Sequence, residues 1–154
     1  MVKDIVISSP INGIAADISA VPDEVFASRV MGDGVMIMPT DGMVYAPEDG
    51  QVCFVFETKH AIGLVTDTGI SMLLHMGIDT VNLKGVGFET YVEAGQFVKK
   101  GEPLLKMDLE YVSENATSLA TPIVCTELDN NQKVKLLTEG AVKAGDPLFV
   151  IHRK

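Results

Sequence analysis

The chain carries 3 histidines in 154 residues, and two of them sit where an ionisable ring needs a reason. His75 closes the apolar run of LLHMGIDT (Leu73–Thr80), just ahead of a glycine. His60 lies in ETKHAIGLVTDTGIS, again flanked by apolar residues. A histidine at such a place is either a satisfied structural residue or a functional one, and a partner ring would favour the second. AIGLVT and ISMLLH read as strands joined at Asp67-Thr68-Gly69, a hairpin tip. An even-length loop, at Asp67-Thr68 or from Thr66 to Gly69, sets His60 directly opposite His75, Ile62 opposite Leu73 and Leu64 opposite Ser71. A three-residue loop would send the two histidines to opposite faces; the even register is the expectation taken here. Opposite residues of an antiparallel ladder have Cβ atoms about 4.5–5.5 Å apart, so both rings could reach one shared atom.

On this register Thr58, Ile62, Leu64 and Leu73 share the face of the two rings, an apolar collar that is either core or a docking surface. The Thr58 hydroxyl is placed to hold His60 in one tautomer. Gly77 and Asp79 follow His75 closely enough to offer its other nitrogen a carbonyl or a carboxylate. His152, beside Arg153 and Lys154, reads as a solvated end residue. Two facing imidazoles suit two chemistries. They are possible zinc ligands, with Asp79 the only obvious third, and His75-x-x-x-Asp79 is similar to the HxxxD of lysostaphin-like zinc peptidases, although the HxH motif of those enzymes is absent. Alternatively, one neutral imidazole accepts a group while the other supports the developing charge. No P-loop, dinucleotide fingerprint or Ser-His-Asp arrangement competes; Gly32-Asp33-Gly34 is too short for one. A lipoyl- or biotinyl-type carrier would need a lysine at a hairpin tip, which Lys106-Met107 does not supply.

The elements that must position these rings read as strands. Glycine and proline punctuate the chain, and VYAPEDGQVCFVFE, HAIGLVTDTGISMLL, EPLLKMDLEYV, TPIVCTEL and DPLFVIH alternate between them. Helical patterning is confined to Asp23–Met31, after Pro22, and Glu110–Ala120. Two internal echoes stand out. Pro10-Ile11-Asn12-Gly13 matches Pro47-Glu48-Asp49-Gly50, and the VKKGEPL segment (Val98–Leu104) matches VKAGDPL (Val142–Leu148). The fold class expected is therefore all-β, a β-sandwich or barrel-sandwich hybrid built from a duplicated hairpin motif, with one or two short helical turns. Residues 1–154 are expected to form one domain. A net charge of −9 argues against nucleic-acid binding and suits a partner with a basic face. Cys53 and Cys125 lie in apolar runs without CxxC spacing and read as core residues. No signal-peptide pattern or membrane-length run is present, so a cytoplasmic location is expected.

Taken together, MGDGVMIMP (Met31–Pro39), GMVYAPEDGQV (Gly42–Val52), FETKHAIGLVTDTG (Phe56–Gly69), LLHMGIDTVNLKGVGF (Leu73–Phe88) and the two VKxG[ED]PL segments resemble the glucose-family enzyme IIA component of the bacterial phosphoenolpyruvate-dependent sugar phosphotransferase system. The resemblance runs from about Val21 to the C-terminus; residues 1–20 match less clearly. It implies a cofactor-free β-sandwich phosphocarrier. His75 would be phosphorylated on Nε2, with His60 supporting the phosphoryl group, Thr58 bonded to His60, and Asp79 and Gly77 lining the site. Phe56, Ile62, Leu64 and Leu73 would form the docking surface. The implied donor is phospho-HPr, and the implied acceptor is the IIB domain of a membrane-bound IIB/IIC sugar permease. Regulatory protein partners are possible, and zinc only where such a partner shares it. A zinc-dependent hydrolase using the same histidines is the alternative.

Overall fold

The computed structural model describes residues 4–153, and strands are its dominant element. In chain order the strands are β1 (Ile5–Ser8), β2 (Gly13–Asp17), β3 (Asp33–Pro39), β4 (Met43–Tyr45), β5 (Gly50–Val55), β6 (Ala61–Thr66) and β7 (Ser71–His75). They continue with β8 (Phe88–Thr90), β9 (Phe97–Val98), β10 (Pro103–Met107), β11 (Thr121–Cys125), β12 (Gln132–Leu136), β13 (Gly140–Val142) and β14 (Pro147–Arg153). Of two short helices, α1 (Glu24–Ala27) falls inside the first stretch with helical patterning, and α2 (Leu109–Asn115) overlaps the second, starting one residue before it. Asp23 caps α1 by accepting from the Val25 N–H at 2.9 Å, and Asp108 caps α2 through Tyr111. Among the described residues, no helix is long and apolar enough to cross a membrane.

The strands form three antiparallel sheets: β1-β14-β12, β4-β10-β8, and the eight-stranded order β13-β2-β3-β11-β7-β6-β5-β9. Alternation buries one face of the large sheet (Val35, Ile37, Ile62, Leu64, Met72, Leu74, Ile123) against Ile7, Phe149, Ile151, Val44, Leu104 and Leu105 of the two small sheets, giving one sandwich core. The other face carries a second apolar layer of Met36, Ala61, Leu73 and Val124. Ile18, Val21 and Phe26 cover it from the segment between β2 and β3.

The duplicated motifs are realised as two matching clasps. Ser9 N–H donates to Asp146 O (2.8 Å), Gly145 N–H to Ser9 O (2.9 Å) and Ala144 N–H to Asn12 Oδ1 (2.8 Å). In the second clasp Ala46 N–H donates to Glu102 O (2.8 Å), Gly101 N–H to Ala46 O (2.9 Å) and Lys100 N–H to Asp49 Oδ1 (2.8 Å). Each proline-containing segment thus grips one Gly-acid-Pro turn through the same three bonds. In both turns the acid also accepts from the N–H at the turn's start, Glu102 from Lys99 (3.0 Å) and Asp146 from Lys143 (3.1 Å).

The β6–β7 register differs from the expected one. Thr66 N–H donates to Ile70 O and Gly69 N–H to Thr66 O, which closes a three-residue loop of Asp67, Thr68 and Gly69. His75 consequently pairs with Ala61, Leu74 with Ile62 and Met72 with Leu64. Cys53 also departs from expectation: it follows buried Val52 and alternation turns it outward, while the bulge between Val52 and Phe54 puts Phe54 on the same outer face. Cys125 is buried, and burial pushes its thiol up to about 12.

Candidate functional site

His75 ends β7 and His60 stands one residue before β6, in the turn leaving β5. Despite the shifted register the two rings meet, with centroids 4.9 Å apart and planes at 81°. A strict alternation would have parted them, but it does not extend to His60. Lys59 just before it takes left-handed backbone (φ +63°), and the chain turns there through a Lys59 N–H to Phe56 O bond. His60 rejoins the sheet only through its carbonyl, which accepts from the Met76 N–H at 2.8 Å.

Each ring is held on one nitrogen. His60 Nδ1 lies 2.8 Å from Thr58 Oγ1, and His75 Nδ1 lies 2.8 Å from the Gly77 carbonyl. A carbonyl only accepts, so His75 Nδ1 carries the proton and its Nε2 keeps a free lone pair. Gly77 is glycine for cause: its φ is +77°, and a Cβ there would stand 2.7 Å from Thr80 Cγ2 and 3.0 Å from Ser118 O. Thr80 Oγ1 in turn donates to Met76 O at 2.7 Å, which ties down the same loop.

Burial holds both imidazoles below the ordinary histidine range. For His60, burial first and then the neighbouring His75 bring the value to about 4. For His75 burial outweighs the opposing pulls of the Gly77 carbonyl, Asp23 and Asp79. Asp79 therefore acts on His75 through space. Its carboxylate accepts from the Thr117 hydroxyl, and its own backbone is left-handed (φ +62°).

Two participants were not legible as site residues in the sequence. Phe26 packs its ring 4.9 Å from that of His75, and Asp23 brings a carboxylate to the same place. The signals were present locally, a Pro-Asp helix start and an apolar residue three positions on, but nothing local says that α1 lies over β7.

The docking surface needs correction. Ile62 and Leu64 are fully buried, on the core side of the sheet, because the one-residue shift in register turns their side chains inward. Leu73 is on the His75 face but buried beneath the second apolar layer. Phe56 remains at the surface, 40% exposed, its ring edge-on to His60 at 5.1 Å. Phe54 packs on Phe56 at 5.3 Å and extends the patch over Gly63. Met31, Cys53, Phe54, Phe56 and Leu73 line an apolar groove of about 430 Å³, which reaches the histidines through the Phe56 ring beside His60. His152 is half-buried in β14 opposite Lys133, a strand residue and not a solvated end.

Chemically, the site offers one unprotonated nucleophilic nitrogen, a second neutral ring within reach of whatever that nitrogen holds, and carboxylates behind the nucleophile. It is set in apolar surroundings from which water is largely kept. For zinc the donor set is short: among the described residues no three His, Cys, Asp or Glu come together as a metal site.

The family model described as phosphoenolpyruvate-dependent sugar phosphotransferase system, EIIA 1, matches residues 5–131. The chain is 47% identical over 146 residues to the PTS system glucose-specific EIICBA component of Staphylococcus carnosus (strain TM300). It is 46% identical over 147 residues to the PTS system N-acetylglucosamine-specific EIICBA component of Klebsiella pneumoniae. Both alignments take in 95% of this chain but only 22% and 23% of the relatives, so the chain spans under a quarter of their length. Glucose permease IIA from Mycoplasma capricolum has the same fold, with a TM-score of 0.90 at 36% identity, covering 97% of this chain and 96% of that one. The similarity begins earlier than Val21, since the matched residues include β1 and β2.

Proposed function

The chain belongs to the EIIA family of the phosphoenolpyruvate-dependent sugar phosphotransferase system, and from that premise we propose that it relays a phosphoryl group through Nε2 of His75. The observation that carries this reading is the pinned ring: Nδ1–H committed to Gly77 O at 2.8 Å, with Nε2 unprotonated beside a second imidazole. The donor is phospho-HPr and the acceptor the IIB domain of a membrane-bound sugar permease.

In the accepting step the Nε2 lone pair attacks phosphorus in line. The donor's P–N bond breaks, and its electron pair returns to the donor's ring nitrogen. No proton has to move, because Nδ1 keeps its hydrogen. The His75 ring gains cationic character as the new P–N bond forms, and the Gly77 carbonyl with the Asp23 and Asp79 carboxylates stabilises it. His60 stays neutral, with a value of about 4. With the Thr58 hydroxyl donating to Nδ1, its Nε2–H is free to donate to a phosphoryl oxygen as charge builds there. The passing step reverses these roles toward the acceptor.

Similar identity to a glucose-specific and an N-acetylglucosamine-specific relative suits a carrier that never touches sugar. The zinc-hydrolase alternative finds no support in the donor set at this site.

The test is intact-mass spectrometry after incubation with phosphoenolpyruvate, enzyme I and HPr. The expected result is a gain of one phosphoryl group, lost in His75→Ala. His60→Ala should still be labelled by HPr but fail to pass the group to a IIB domain. An unlabelled wild-type protein would overturn the reading, and labelling of His75→Ala would overturn the assignment of the nucleophile.

A further inference from the structure

Resting on His75 as the carrier, we propose that Phe26 is a positioning residue for the transfer: its ring fixes the plane of the His75 imidazole and so the direction in which Nε2 points. The hydrogen bond to Gly77 sets the tautomer but leaves the ring some freedom of tilt. The terminal torsion of a histidine is broad and roughly two-fold, and a single hydrogen bond at Nδ1 tolerates a range of angles, so a ring held only there tilts enough to move Nε2 off line. In-line attack needs reacting atoms about 3–3.5 Å apart and aligned, and a small swing is costly in rate. Phe26 supplies the missing restraint, 4.9 Å from His75 with a plane inclined at 54°. His60 meets the His75 ring edge-on at 4.9 Å as a further contact.

The structure also holds Phe26 itself in place. It sits in α1, whose start Asp23 caps through Val25 N–H (2.9 Å) and whose end closes through the Arg29 N–H on Phe26 O (3.0 Å). The Arg29 guanidinium then anchors the segment to the sheet, with Nη2 2.9 Å from Asp17 and Nε 3.0 Å from Asp33. Ile18 and Val21 of the same segment are buried beside Phe26 in the second apolar layer. Being only 7% exposed, Phe26 offers a docking protein little surface, in contrast to Phe56 at 40%. Its contribution therefore belongs to the transfer itself and not to the encounter.

Single-turnover labelling with phospho-HPr separates the two. Phe26→Leu fills similar volume without a planar face, and should lower the maximal transfer rate roughly tenfold while leaving the half-saturating HPr concentration unchanged. Phe26→Tyr keeps the planar face and should recover most of the rate. A Phe26→Leu rate within about twofold of wild type, or a loss seen only as a raised half-saturating concentration, overturns the proposal. Should Phe26→Leu fail to fold, NMR of the wild-type protein decides: contacts between the Phe26 and His75 ring protons and a single Nδ1–H tautomer are expected, and a freely reorienting His75 ring overturns it. A wild-type protein that is never labelled is a different outcome, and removes the carrier assignment instead.

Discussion

Two imidazoles in contact inside an apolar site cannot both take protons near neutrality, and this shapes what the residues do. His75 is held below 6.5, chiefly by burial, so Nε2 keeps its lone pair to lower pH than a free histidine does. The labelling rate from phospho-HPr should accordingly decline on acidification with a midpoint below pH 6.5; a decline centred above 6.5 in quench-flow measurements would contradict the geometry. His60 carries a stability signature of its own. Its folded value of about 4 lies below the unfolded one, so between pH 6.5 and 4 the unfolded chain takes up a proton that the folded protein refuses. The stabilisation is complete above pH 6.5 and lost on acidification through this window. His60→Gln removes that titration, and thermal melts at pH 7.5 and 5 should show the wild type losing about 2 kcal/mol more than the variant.

At the scale of elements, the site depends on where strands begin and end. His75 is the last residue of β7, and the loop after it turns at once through Gly77 to bring a carbonyl back onto the ring. His60 is presented by a turn, where Lys59 breaks the alternation, so the two rings converge from one strand end and one turn. The groove beside them depends on Gly63 of β6. A Cβ built there would stand 2.2 Å from the Phe54 ring, which lies flat over the glycine and supports Phe56. The obstacle is the side of a movable ring, so Gly63→Val should displace Phe54 without breaking the sheet. The expected result is a severalfold rise in the half-saturating concentration of HPr, an unchanged maximal rate, and a melting temperature lowered by no more than a few degrees, about 1 kcal/mol. A lowered maximal rate with unchanged half-saturation would show that this groove is no docking surface.

Across the whole molecule, the paired clasps tie the segments after β1 and after β4 to the turns before β14 and β10. The same three bonds recur around Asn12 and Asp49, so Asn12→Ala and Asp49→Ala should each cost about 1–2 kcal/mol in urea unfolding. A cost confined to one of the two would mean that the duplication is only formal. The net charge of −9 acts at this scale too. It favours encounter with a basic donor, and screening over a Debye length of about 10 Å at 0.1 M salt weakens that attraction. Raising salt from 0.05 to 0.5 M should slow the bimolecular labelling rate about tenfold while the rate at saturating donor holds steady.

Much of this was written in the sequence, because it rests on local physics. Period-two alternation marks strands, a proline followed by Asp23 marks a helix start, and the repeated Pro-x-Asn/Asp-Gly and Gly-acid-Pro segments declare a duplicated fold. The Thr58–His60 contact was equally legible, being a matter of two residues along one chain. What sequence spacing could not decide was the β6–β7 register. A loop of two, three or four residues is compatible with Asp67-Thr68-Gly69, and each change of one turns a strand's side chains to the other face. That is why Ile62 and Leu64, read as docking residues, lie in the core, while the two histidines meet through a turn. Nor could spacing bring Asp23 and Phe26 to His75. Their segment is laid across the outer face of the large sheet by the burial of Ile18, Val21 and Phe26 and by the Arg29 anchor to Asp17 and Asp33. The proposed nucleophile was legible in the sequence; its surroundings are set by apolar packing and ion pairs that only the tertiary structure brings together.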